Sequence, residues 1–232
     1  MKPAKYFNPR NFRVQSMSPE IIKPIIEQNH YLHRLCVGVV RSCFGIIKID
    51  ESRLVGALVF GEPVRRNLST SISPVVKDNE VIELLRVWIE DGHGSNIESW
   101  SIAQAFKMLP PERKVIVSYA DPFAGHTGKI YQALNGIYQE LPEGNSFEIS
   151  LDGVTWLHER TQGRRFGKHS IERLKKKLCQ NFYRKRESRK YRYLWILKDE
   201  EKILQTLKHP ISPYPKEAKE PPQIEEIIVA TE

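Results

Sequence analysis

The chain has 232 residues, 40% of them apolar, and carries a formal net charge of +8 from 36 Lys/Arg against 28 Asp/Glu. No run approaches the ~20 apolar residues that span a bilayer, and the first residues, MKPAKYFNPRNF, lack the apolar stretch of a signal peptide. Three cysteines, Cys36, Cys43 and Cys179, are odd in number and lack metal-site spacing, which speaks against a disulfide framework and for a reducing cytoplasm.

In chain order, Ser18-Pro19-Glu20 is a helix start: a capping residue, Pro at the first helical position, then an acid. Ile21, Ile22, Ile25 and Ile26 supply its apolar face, and Pro24 is expected to kink or restart it. The helix exits at Asn29-His30-Tyr31. Residues 37–49 and 53–60 read as a β-hairpin around Asp50-Glu51-Ser52. Residues 62–79 have turn chemistry and read as a long loop. Val81–Ile89 is an apolar strand, followed by the loop Asp91-Gly92-His93-Gly94-Ser95 and a helix over 96–109. Ser95 and Glu98 have the spacing of a capping box, and Pro110-Pro111 stops the helix.

A strand over 114–120, a helix over 127–138 and a strand near 147–151 come next. Ser170 opens a helix with the stripe Ile171, Leu174, Leu178 and Phe182 and with basic residues on its other faces. Residues 191–197 read as a final strand. From Pro210 on, five prolines and an excess of acids suggest a disordered tail. The division expected is a catalytic core over 1–158, a basic helix and final strand over 159–200 belonging to the same domain, and an acidic tail over 201–232.

The most informative window is 118–131, SYADPFAGHTGKIY. It places Asp121 where a strand ends, and Gly125, His126 and Gly128 in a tight turn into a helix. Ligands of α/β sheets dock at such strand ends. A carboxylate, an imidazole and a phenol (Asp121, His126, Tyr131) crowd that turn.

The charge is also uneven. Residues 160–193 hold fourteen Lys/Arg and two acids, so the whole basic surplus lies in about one seventh of the chain. Such clustering is the footprint of a polyanion-binding surface. The aromatics Phe166, Phe182, Tyr183, Tyr191, Tyr193 and Trp195 are interleaved with it, which favours nucleic acid. The phosphate-holding candidates are Arg164, Arg165, Lys168, Lys175, Lys176, Lys177, Arg184, Lys185 and Arg186.

The order of elements resembles the GNAT acyltransferase fold, an α/β class with a mixed central sheet flanked by helices. In that fold a strand, a loop of amides and a helix N-terminus hold a cofactor pyrophosphate. The corresponding loop here is Gly92, Gly94, Ser95 and Asn96. It departs from the Arg/Gln-x-x-Gly-x-Gly/Ala pattern, which argues against the usual grip on coenzyme A.

Asn29-His30-Tyr31, ELLRVWIED at 83–91, Asn96-x-Glu98-Ser99 and SYADPFAGHTGKIYQALN at 118–135 together resemble the Mom family of phage DNA adenine-modification proteins. The likeness runs over roughly residues 20–200. It implies conversion of adenine in double-stranded DNA to N6-carbamoylmethyl-adenine, protecting phage DNA from restriction in the bacterial host cytoplasm. By the same resemblance His30, Tyr31, Asp121 and Tyr131 form the active-site group. Ferrous iron on His30 and Asp121 is a further implication, the donor of the transferred group is unknown, and a homodimer is compatible. Two other readings stay open: a GNAT-type acyltransferase acting on a protein or small amine, and a non-catalytic nucleic-acid-binding protein.

Overall fold

The computed structural model describes residues 7–35, 39–65, 67–122, 125–142, 147–157, 162, 165–166, 171–178, 180–186, 190–217, 224 and 226–229. In chain order the elements are β1 (Phe12–Met17), α1 (Pro19–Asn29), β2 (Val40–Lys48), β3 (Arg53–Gly61), α2 (Leu68–Ile72), β4 (Val81–Ile89), α3 (Ile97–Phe106), β5 (Val115–Ala120), α4 (Lys129–Gln132) and β6 (Ile137–Gln139). They continue with β7 (Phe147–Ser150), β8 (Trp156–Leu157), α5 (Ile171–Leu178), β9 (Phe182–Arg186), β10 (Tyr191–Ile196), α6 (Glu200–Gln205) and β11 (Glu226–Ile228). The chain forms two compact units, one of residues 1–120, 127–140 and 191–215, the other of 121–126, 141–190 and 216–232. No helix among the described residues is long and apolar enough to cross a membrane.

The first unit is built on a mixed sheet in the order β1-β2-β3-β4-β5-β10-β6. Only β4 and β5 run parallel; the other neighbours are antiparallel. The sequence dictates this placement, because strands buried on both faces read as continuous apolar runs, as VIELL and VIV do. One face carries Ile82, Leu84, Ile116 and Trp195 against Ile97, Ile102 and Ala105 of α3. The opposite face carries Val81, Val115, Val117 and Leu194 against Leu68 and Ile72 of α2 and Ile203 of α6. Farther along that opposite face, Ile22 and Ile26 of α1 pack on Cys43, Ala57 and Val59. Each of these fully buried isoleucines contributes about 1.5–3 kcal/mol, which offsets the carbonyl that Pro24 leaves without its amide partner. The helix runs unbroken through that proline.

The second unit is an antiparallel sheet in the order β11-β9-β7-β8. Leu174 of α5 closes its core with Ile149, Phe182 and Ile228.

Several local expectations give way to tertiary pairing. The helix expected over 127–138 is the single turn α4. Asn135 takes φ +54°, a left-handed stop, and residues 137–139 then pair with β10. The basic helix likewise ends at Leu178, and Phe182 opens β9 rather than extending the apolar stripe. The cap of α3 is Asn96 at φ +73°, with no side-chain cap hydrogen bond, in place of a Ser95–Glu98 box. The loop 62–79 contains α2. Beyond α6, the proline-bearing stretch lies along β6, the last strand of its sheet: Ser212 N–H donates to Tyr138 O at 2.9 Å, and Gln139 Nε2 donates to His209 O at 2.6 Å. An edge strand needs only alternate partners, so prolines are tolerated beside it.

Buried phenols make the fold alkali-sensitive. Burial raises Tyr119 and Tyr131 from 10.0 to about 12, and it also raises Tyr138, Tyr191 and Tyr193. Above the unfolded value the unfolded chain releases these protons while the folded chain keeps them. Their contribution is therefore intact below about pH 10 and is lost as pH rises toward the folded values. Thermal melts at rising alkaline pH are expected to show a midpoint that drops from about pH 10 upward; a flat midpoint would show that these phenols ionise freely in the fold.

Candidate active site

The site of the first unit arises where two strands part. β4 and β5 pair only over Val81–Glu83 and Val115–Val117. β4 then continues to Ile89 against β3, and β5 to Ala120 against β10. From this point the two strands leave their common ladder. Ser118 spans the opening, its hydroxyl donating to Leu84 O at 2.9 Å.

Tyr131 of α4 sits beside Ser118. Its ring is 8% exposed and packs on Tyr193 and Trp195, with centroids 5.3 and 5.5 Å away. Burial, first of all, pushes its phenol up to about 12; a hydrogen bond with Ser118 works against that rise, and Tyr31 and Glu83 add to it electrostatically. The phenol is therefore neutral at physiological pH, and the groups around it are Ser118, Tyr31 and Glu83. The turn that presents it is clamped. Gly128 has φ +78°, and a Cβ there would lie 2.5 Å from the Tyr193 ring. The Tyr193 hydroxyl donates to Thr127 O at 2.6 Å and accepts from Gln132 Nε2 at 3.1 Å.

His30 and Tyr31 follow α1. The His30 N–H closes the helix on Ile26 O at 2.9 Å, and the ring is 7% exposed. Its Nδ1 accepts the Leu32 N–H at 3.1 Å. Tyr31 stacks on it, with centroids 4.5 Å apart and planes at 27°. Arg86 Nε donates to Arg34 O at 3.1 Å, tying this turn to β4.

The loop before α3 has alternate left-handed residues: Gly92 at φ +94°, Gly94 at +93° and Asn96 at +73°. Successive amides in such a loop at a helix N-terminus suit an anion. His93 Nε2 lies 3.0 Å from a Glu90 carboxylate oxygen, which holds the loop on the end of β4.

Asp121 and His126 belong to the second unit. The Asp121 carbonyl accepts the His126 N–H at 3.0 Å, and its carboxylate is 3.5 Å from Lys190 Nζ. The basic residues there divide into two kinds. On β9, Arg184 pairs with Glu226 at 3.2 Å and lies 3.4 Å above the Phe147 ring; Lys185 pairs with Glu148 at 3.4 Å and lies 4.1 Å from the Trp156 ring. Arg186 is exposed at the end of the same strand. On α5, Arg173, Lys176 and Lys177 are exposed and, at spacing i, i+3, i+4, share one face, with Lys177 Nζ donating to Phe166 O at 2.8 Å. Lys175 is half-buried. Arg165 sits 5.5 Å from the Phe166 ring. Arg164 and Lys168 lie outside the described residues, as do Cys36 and Cys179.

Among the described residues no three of His, Cys, Asp and Glu gather as a metal-binding group. Iron on His30 and Asp121 rests on the family resemblance alone, and no chemical step is assigned to a metal.

The structure thus brings His30, Tyr31 and Tyr131 into one locality and adds two residues that sequence reasoning did not single out, Ser118 and Glu83. A signal for both existed: each is a polar residue inside an apolar strand, VIVSYA and VIELL. Lys190, the partner of Asp121, carried no such mark.

Residues 11–216 match the Mom protein family. The "methylcarbamoylase mom" of Escherichia phage Mu is 29% identical over 220 residues, covering 90% of this chain and 86% of that protein. Among solved structures, Arabidopsis thaliana NAA60 in complex with acetyl-CoA aligns with 80% of this chain and 99% of its own, at 11% identity and a TM-score of 0.43.

Proposed function

This chain belongs to the Mom protein family, and on that premise we propose that it modifies adenine in DNA, joining a carbamoylmethyl group to N6. One observation supports this above the others. A buried, neutral phenol, Tyr131, is held beside Ser118 where two parallel strands part, with Tyr31 and Glu83 in electrostatic reach. Polar groups of this density at a strand end serve chemistry more often than packing.

The amine of adenine is a poor nucleophile because its lone pair is delocalised into the ring. A base is needed as the N6–CH₂ bond forms and the bond from that carbon to its donor breaks. Asp121 is assigned as acceptor of the N6 proton. Tyr131 supplies a hydrogen-bonding hydroxyl toward charge developing on the leaving group, and His30 and Tyr31 line the approach. A carbamoylmethyl group joins nitrogen through a CH₂ carbon, so acetyl transfer from coenzyme A does not make this product. The Gly92–Asn96 loop remains available to an anionic part of the donor. A base stacked in a duplex cannot reach such a group, so the target adenine is flipped out or locally unpaired.

DNA co-expressed with the protein, digested to nucleosides, is expected to contain deoxyadenosine heavier by one carbamoylmethyl group. An acetyl-sized gain would favour acyl transfer instead, and unmodified DNA would overturn the reading.

Phosphate binding is assigned to α5. Neutralising Arg173, Lys176 and Lys177 together is expected to weaken DNA binding on all sequences alike and to flatten the log–log salt dependence by up to ~3. Arg184→Gln removes a cation that Glu226 already neutralises, so it is expected to lower thermal stability with little change in slope. A slope unmoved by the α5 substitutions would return that helix face to a solvated role.

A further inference from the structure

Resting on the proposed action on DNA, we infer that the stacked His30–Tyr31 pair is the platform on which the unpaired adenine lies. Tyr31 contributes its ring, in addition to whatever its hydroxyl does.

The pair is built as a rigid lower ring under an accessible upper one. His30 is 7% exposed and fixed at both ends, its N–H on Ile26 O at 2.9 Å and its Nδ1 on the Leu32 N–H at 3.1 Å. The turn above it is set by the His33 N–H on His30 O at 2.7 Å, with His33 at φ +45°, and by Arg86 on Arg34 O. Tyr31 lies almost parallel on His30, at 4.5 Å and 27°, yet is 49% exposed. Most other tyrosines of this unit behave differently: Tyr131, Tyr138, Tyr191 and Tyr193 are all buried.

An aromatic ring held half in solvent by a fixed stack, within electrostatic reach of the Tyr131 phenol, suits a flat ligand that continues the stack. An extruded purine is such a ligand, and stacking is insensitive to which base supplies the face. The same chemistry would accept the purine of a nucleotide cofactor, so the test separates the two sources.

The full-length protein is titrated into a DNA duplex carrying 2-aminopurine at the target adenine, with fluorescence as the readout, and Kd for unlabelled duplex is measured beside nucleoside yield from co-expressed DNA. Tyr31→Leu is expected to leave the extruded 2-aminopurine brighter than in the wild type and to raise Kd roughly 5- to 150-fold. Tyr31→Phe and Tyr31→Trp keep a ring and are expected to restore most of the quenching and of the affinity. A Tyr31→Phe protein as impaired as Tyr31→Leu in Kd and quenching would overturn the platform, because the hydroxyl would then be the working group. So would Tyr31→Leu with an unchanged Kd. Quenching removed by coenzyme A but not by competing unlabelled DNA would assign the platform to a cofactor purine and equally overturn it. If the wild type leaves DNA unmodified, the proposed chemistry fails, and the fluorescence comparison still decides the stacking role.

Discussion

Asp121→Ala abolishes adenine modification while leaving the fold in place; that is the expected result, and the two halves have separate physical grounds. Asp121 directly follows Ala120, the last residue of β5, and its carboxylate is 21% exposed, 3.5 Å from Lys190, whose side chain is 48% exposed. An ion pair this open to water contributes about 0–1 kcal/mol, so its loss leaves the melting temperature close to that of the wild type. Removing a general base costs typically ~10²–10⁴ in rate. Nucleoside yield from co-expressed DNA, read beside circular-dichroism melts, separates the two effects. Asp121→Asn keeps the shape and removes the basicity, so it is expected to be as inactive as Asp121→Ala. Modified nucleoside at wild-type level in either variant would remove Asp121 from the chemistry.

Tyr131→Phe comes second in expected size and is the sharper test, since it deletes one oxygen from a ring that is otherwise buried. Ser118 keeps its bond to Leu84 O in the variant, so no buried hydroxyl is stranded and the stability loss is about 1 kcal/mol. The ring contacts to Tyr193 and Trp195 are unchanged in kind. Modification is nevertheless expected to fall by ~10²-fold or more, because a positioned proton-handling group contributes on that scale. Full activity in Tyr131→Phe would make the residue a core aromatic. The wild-type phenol, raised to about 12 by burial, does not ionise in the working range, so no alkaline limb below that value is expected from it in a pH–rate profile.

Much of this molecule was readable as text. Val81–Ile89, Val115–Ala120 and Tyr191–Ile196 are strands because their apolar runs have nowhere to go but the centre of a sheet. The eighteen residues at 118–135 are the longest of the windows whose resemblance made the family legible in the sequence. Charge was readable too, since a +12 surplus over 160–193 is a property of composition.

Tertiary structure alone decided the rest, wherever a local preference had a competitor distant in sequence. Residues 127–138 have helical spacing, yet pairing with β10 draws 137–139 into the sheet, because backbone groups buried at a sheet must be satisfied. The proline stretch after 210 has the composition of a disordered tail, and the unfilled edge of β6 orders it. Arg184 and Lys185 look identical to the cations of α5 in sequence, and only cross-strand register gives them Glu226 and Glu148. Ser118 and Glu83 acquire meaning only where β4 and β5 part, a point set by how far two strands remain paired and written in neither strand alone.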